Sequence, residues 1–206
     1  MKYLFLSLTS ILLLSCSNDT TTEVNEDIAP EVCKYEFDET NTTVNWAAFK
    51  FNEKTAVKGV FNKINVLISE PSENMFNTLT GASFTIPVNS INSNNEERDK
   101  KIDAHFFGSM TSTEIISGLI KNINEKTALV EITMNSVSID YSGDVLIDGD
   151  KISFSTAIDM GDFEAIHSID SLNTIRYDLH KGTDGISKLW NEIEINVETT
   201  LKKVCD

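Results

Sequence analysis

The side chains that could do chemistry by type are three histidines, three cysteines and a group of aspartates. Metal binding or acid–base relay needs such groups at ligand spacing. His105, His167 and His180 stand far apart, none with a metal-ligand partner at short spacing, so they read as surface or hydrogen-bonded histidines. Asp140, Asp144, Asp148 and Asp150 crowd around Gly143 and Gly149 but lack the spacing and closing Glu of a calcium loop. They read as turn residues. No G-x-S-x-G, phosphate loop or H-E-x-x-H occurs. The sequence therefore offers no recognisable catalytic, metal-binding or cofactor motif.

Cysteine chemistry points elsewhere. Met1-Lys2 followed by the apolar run 3–14 fits a signal-peptide core, too short to span a bilayer as a mature helix. Leu13-Leu14-Ser15-Cys16 then resembles the bacterial lipoprotein signal. That resemblance implies cleavage after residue 15 and acylation of the Cys16 thiol. The chain would then be held in the bacterial cell envelope, facing the periplasm, with the outer membrane preferred over the inner. Two or more acyl chains anchor stably, at about 0.8 kcal/mol per buried methylene. Residues 16–33 are polar and acidic, a tether between the lipid and a domain that occupies 34–206. Cys33 and Cys205 remain, one opening the domain and one nearly closing the chain. An exported compartment permits a bridge between them. Closing a loop of about 170 residues stabilises by on the order of 5 kcal/mol in the chain-entropy model. Two free thiols flanking the domain are the alternative.

Charge excludes one class of partner. With 17 basic against 32 acidic residues and a net charge of −15, the chain has no electrostatic footprint for nucleic acid. Anionic lipid is equally disfavoured as a docking surface for the domain itself.

Period-2 alternation dominates from Lys34 onward. Val44, Trp46 and Ala48 share a face, as do Phe84, Ile86 and Val88, then Val130, Ile132 and Met134. The parity shifts to Val137, Ile139 and Tyr141, which predicts a β-bulge or tight bend at Asn135–Ser136. Asp148-Gly149-Asp150 is a hairpin signal. Ile193, Ile195, Val197 and Leu201 alternate with polar residues. About eight strands follow, and that number in one domain favours a closed antiparallel barrel, which removes exposed edges. An eight-stranded barrel holds either packed side chains or one small ligand.

One stretch breaks the pattern. Residues 94–107 read as a short helix: Ser93 and Glu96 have capping-box spacing, Glu96–Lys100 and Glu97–Lys101 are i,i+4 pairs, and Gly108 is a plausible stop. Ile102, His105 and Phe106 share one face of it.

These segments resemble the YceI-like family. Residues 35–66 resemble its opening, with Val57, Gly59 and Phe61 in a Val-x-Gly-x-Phe element. Residues 83–107, "SFTIPVNSINSNNEERDKKIDAHFF", resemble its most telling block, with Arg98-Asp99 ahead of the paired Phe106-Phe107. Residues 155–163 and 189–201 are similar to its late strands. One departure stands out: Lys101-Ile102 occupies the place where the family commonly has His-Leu, so His105 does not inherit that role.

The resemblance implies an all-β, lipocalin-like antiparallel barrel of eight strands with one or two short helices at its mouth. It also implies an elongated apolar cavity for a polyisoprenoid or isoprenoid quinone, with no catalysis. The expected lining is Trp46, Phe61, Phe84, Ile86, Ile132, Met134 and Phe154. The helix would cap the mouth with Ile102, Phe106 and Phe107 turned inward, and Arg98 and Asp99 are the candidate head-group contacts. Two other classes remain open: a structural envelope lipoprotein with a solid barrel, and a lipid-acting enzyme built on Arg98, Asp99 and His105.

Overall fold

The computed structural model describes residues 31–68, 70–112 and 114–205. The signal segment, Cys16 and most of the tether therefore lie outside the described residues. The elements in order are β1 (Cys33–Glu36), β2 (Thr42–Lys50), β3 (Thr55–Phe61), β4 (Asn65–Leu67), α1 (Met75–Leu79), β5 (Ser83–Pro87), β6 (Ile91–Asn92) and α2 (Glu96–Lys101). There follow β7 (Ile115–Ile123), β8 (Thr127–Met134), β9 (Val137–Asp148), β10 (Lys151–Asp159), α3 (Ile166–Ile175), β11 (Leu189–Thr200) and β12 (Lys202–Cys205).

Ten strands form one antiparallel sheet in the order β4-β5-β7-β8-β9-β10-β11-β2-β3-β6, and β1 pairs with β12 in a separate ribbon. The connections force this sheet to curl. β3 and β4 lie near opposite ends of the ladder, yet only residues 62–64 join them, a reach of about 14 Å at most. β5 and β6 stand in the same relation across residues 88–90. Both ends of the sheet must therefore meet across a seam. No ladder closes that seam among the described residues, so the expected eight-stranded closed barrel is corrected to a strongly curled ten-stranded sheet. The count differs because β4 and β6 are only three and two residues long, too short to leave an alternation in the sequence.

The parity shift at Asn135–Ser136 is a tight bend and not a bulge. Both residues have positive φ, 51° and 62°, as a type I′ hairpin turn requires. Met134 pairs directly with Val137 and Ile132 with Ile139, so the two strands keep their apolar residues on one face. Gly149, at φ 62°, turns the β9–β10 hairpin as its neighbours suggested. β7 carries a real register shift, between Ile120 and Asn122.

The charged stretch is a compound helix. Asn95, and not Ser93, is the cap of α2: its side-chain oxygen accepts from the Arg98 N–H at 2.9 Å. Ser93 instead donates through its hydroxyl and its backbone N–H to Asp99 Oδ1, at 2.5 and 2.9 Å. Lys100 pairs with Glu96 at 2.6 Å, and Glu97 is shared by Lys101 at 3.7 Å and Arg176 at 2.7 Å. The winding then changes to π over Ile102–Phe106 and to 3-10 over Phe107–Ser109. Gly108 lies inside that last turn and does not stop the helix ahead of it. Adjacent positions on an α-helix lie 100° apart, which would leave one of two neighbouring rings at the margin of the apolar face. With the altered winding both are buried, Phe106 at 5% and Phe107 at 4% exposure, edge to face at 4.9 Å.

Cys33 and Cys205 are bonded, and they sit directly opposite each other in the β1–β12 ribbon. The free-thiol alternative is thereby excluded.

Candidate functional site

The curled sheet encloses two cavities stacked along its length. The first has a volume of about 140 Å³ and the second about 110 Å³. Strand register fixes their order. On β2, Thr42 and Val44 line the first while Trp46 and Ala48 line the second. On β11, Val197 and Thr199 line the first while Ile193 and Leu189 line the second. β11 spans about 33 Å from Leu189 to Thr199 at strand rise, so the enclosed space is long and narrow.

All ten expected lining residues face this space. Phe84, Ile86, Ile132 and Phe154 line the first cavity; Trp46, Ile102, Phe106 and Phe107 line the second; Phe61 and Met134 line both. No nitrogen or oxygen faces either cavity. The two threonines of the first cavity show why. Thr42 donates to the Asp38 carbonyl at 3.0 Å and its oxygen accepts the Thr199 hydroxyl at 2.7 Å, leaving only methyl groups toward the lumen. The indole N–H of Trp46 is likewise turned into the wall, onto the Val60 carbonyl at 3.3 Å.

Glycines keep the lumen open. Gly118 pairs across from Phe84 and Gly59 across from Trp46. A Cβ at either position would overlap the facing ring. The absent side chains let both aromatic rings lie flat along the wall and not across the space.

Several lining residues have weaker sequence signals. Ile116, Ile120 and Ile123 of β7 line the first cavity, but the register shift at Ile120 breaks their alternation. Ile169 and Leu172 of α3 close the second. Their spacing of three, continued from Ile166 to Ile175, was the available signal. The poor helix formers among them, Ser168, Asp170, Ser171, Asn173 and Thr174, obscured it.

Arg98 and Asp99 are not brought to the cavities. Neither is among the lining residues, and the Asp99 carboxylate is occupied by Ser93. Asp99 instead borders an open polar cleft outside the sheet, with Asn62, Asn92 and Asp103. The polar candidates for chemistry are dispersed or occupied. His167 Nε2 meets the Ser109 carbonyl at 2.8 Å, and Asp140 pairs with Lys121 at 2.7 Å. Glu31, Cys33 and Cys205 form the one metal-capable grouping among the described residues, and the disulfide removes both thiolates. Burial, reinforced by the Asp162 carboxylate at 2.7 Å, holds the Tyr141 phenol well above its usual range.

His180 lies on the turn Tyr177–His180 that follows α3, with Nδ1 2.9 Å from Asn173 Oδ1. Burial, with Lys50 and Arg176 adding positive charge nearby, pushes its pKa down from 6.5 to about 4. The unfolded chain then takes up this proton first as pH falls. The neutral ring's contribution is complete above pH 6.5 and is lost as pH drops toward about 4. Urea midpoints of the protein and of His180→Gln, measured across that window, are expected to converge as pH falls. A constant difference would contradict this assignment.

A family model described as the YceI-like domain matches residues 35–201. No curated protein matches the chain. Among solved structures, a polyisoprenoid binding domain from Saccharophagus degradans, implicated in plant cell wall breakdown, aligns with TM-score 0.59 and 12% identity. It covers 84% of this chain and 98% of that one. BcnA from Burkholderia cenocepacia aligns with TM-score 0.56 and 13% identity, covering 82% and 99%. At these identities the likeness is one of fold. The family match spans nearly all of the described domain, and on that ground the chain belongs to the YceI-like family.

Proposed function

We propose that the protein is a non-catalytic carrier that holds a long-chain apolar lipid, a polyisoprenoid or an isoprenoid quinone, inside its curled sheet. The observation that carries this reading is the long enclosed space whose walls present only carbon and sulfur. Such walls favour an apolar chain, at about 25 cal/mol per Å² of apolar surface buried. They also reject a polar terminus, since burying an unpaired hydroxyl or carbonyl costs about 2–7 kcal/mol. The head group therefore stays at a mouth, and Arg98 and Asp99 do not enclose it. The polyisoprenoid-binding description of the Saccharophagus relative supports the same ligand class. A solid barrel would leave no such space, so the cavities favour a carrier over a purely structural lipoprotein. An enzyme on lipid lacks a polar constellation facing the lumen.

The same proposal anchors the carrier in the bacterial envelope through acylated Cys16, facing the periplasm, with the outer membrane as the preferred site. The signal-like run and Leu13–Cys16 support it. Fractionation tests the anchor: Cys16→Ser is expected in the soluble fraction, and a variant still in the membrane pellet would contradict it.

The helix provides the test of the cavity. Phe106→Asp or Phe107→Asp places a charge against the second cavity and is expected to reduce retained lipid at least about tenfold, a difference of about 1.4 kcal/mol. Glu96→Ala touches only an exposed ion pair and is expected to leave retention unchanged. Equal retention in all three variants, measured by extraction and mass spectrometry, would contradict the cavity as the binding site.

A further inference from the structure

The two cavities share one belt of side chains. Phe61 of β3, Ile116 of β7, Met134 of β8, Ile158 of β10 and Ile195 of β11 line both. Each of these five strands contributes one residue to the boundary between the two cavities. Any chain longer than one cavity must pass through it.

Four of the five belt residues are stiff. The isoleucines are β-branched and restricted at χ1. The Phe61 ring packs against Phe107, with centroids 6.4 Å apart. Met134 differs, being unbranched, with three rotatable bonds beyond Cα. Its backbone is nonetheless held firmly. It pairs with Val137, and the adjoining Asn135 accepts from the Thr111 N–H at 2.6 Å and donates to the Phe163 carbonyl at 2.8 Å. The belt thus combines stiff side chains with one that is unbranched and buried.

We propose that Met134 is a movable partition between the two cavities and sets which chain lengths the protein accepts. With Met134 across the lumen, each cavity is a separate site for a short apolar chain. With its thioether folded back, one long chain occupies both. This inference rests on the lipid-binding reading and adds the residue that determines its specificity.

The test compares farnesol, a short prenyl alcohol, with solanesol, a long one. Both are delivered from detergent micelles to the full chain and followed by fluorescence of Trp46 and Trp190, which line the second cavity. Met134→Phe fixes a bulky ring in the belt and is expected to lower the solanesol-to-farnesol affinity ratio at least about tenfold. Met134→Ala removes the partition and is expected to shift the solanesol-to-farnesol affinity ratio the opposite way. The ratio is the readout, because a general loss of folding would weaken both ligands alike. An unchanged ratio in both variants would overturn the partition with lipid binding intact. A wild-type protein that binds neither alcohol would overturn the lipid-binding reading, and the partition with it.

Discussion

Gly118→Val is expected to destabilise the domain by about 3 kcal/mol and to exclude lipid from the first cavity. Gly118 sits in β7 directly opposite Phe84 of β5, and a Cβ there would overlap both the Phe84 ring and the carbonyl of Glu131. The two collisions have different outlets. Glu131 belongs to the neighbouring strand β8, whose position is fixed by ladders on both sides, so that overlap strains backbone. The ring can move, and the open direction is the lumen. Stability and binding are therefore lost for separable reasons. Phe84→Ala added to Gly118→Val is expected to restore much of the cavity while leaving most of the stability loss. Urea denaturation and lipid retention, read on the single and double variants, check both parts. A Gly118→Val protein with the wild-type midpoint and full lipid content would contradict the role given to this glycine.

Cys33→Ser with Cys205→Ser is the second large effect, an expected loss of about 2–5 kcal/mol. The bond joins residues 172 apart in sequence, so the loop it closes in the unfolded chain includes nearly the whole domain. Beyond the packing of Tyr35 on the core, native contacts give the ribbon little independent hold. β1 and β12 pair with each other through four residue pairs and form no ladder with the large sheet. A single bridge, Tyr35 to Ser72, and a hydrogen bond from Thr78 to the Tyr35 carbonyl at 3.3 Å join β1 to the segment around α1. Urea unfolding at neutral pH, with and without reductant, measures the loss directly. The serine variant and the reduced wild type should agree. Equal stability of the reduced and oxidised protein would contradict a structural role for the bond.

The wall of the cavity was legible in the sequence because a half-buried strand writes its geometry as alternation. Trp46, Phe84, Ile132 and Met134 all lie where that period places them, facing inward. Phe61 follows the same period from Val57, whereas the resemblance to the YceI-like family added the paired Phe106 and Phe107, which no strand period would have selected. What escaped the sequence has physical causes. Strands of two and three residues carry no period, so the curled sheet looked like a smaller barrel. A register shift at Ile120 and the facing pair Phe84 and Gly118 hid β7. Ser93 had the type and spacing of a helix cap, but Asn95 takes the cap and the Ser93 hydroxyl donates to Asp99 six residues on. That choice also ties one carboxylate oxygen of Asp99 to Ser93. The boundary between the two cavities is shared by residues from five strands, which no local pattern encodes.

A long apolar lipid held in this lumen is the property from which the carrier role follows. The most direct measurement is lipid extraction and mass spectrometry on the full chain purified without delipidation from its native source. A prenyl-chain lipid recovered at close to one molecule per protein, and reduced in Phe106→Asp, is the predicted result. Protein that repeatedly yields no lipid, and that takes up neither farnesol nor solanesol when these are added, would contradict the account.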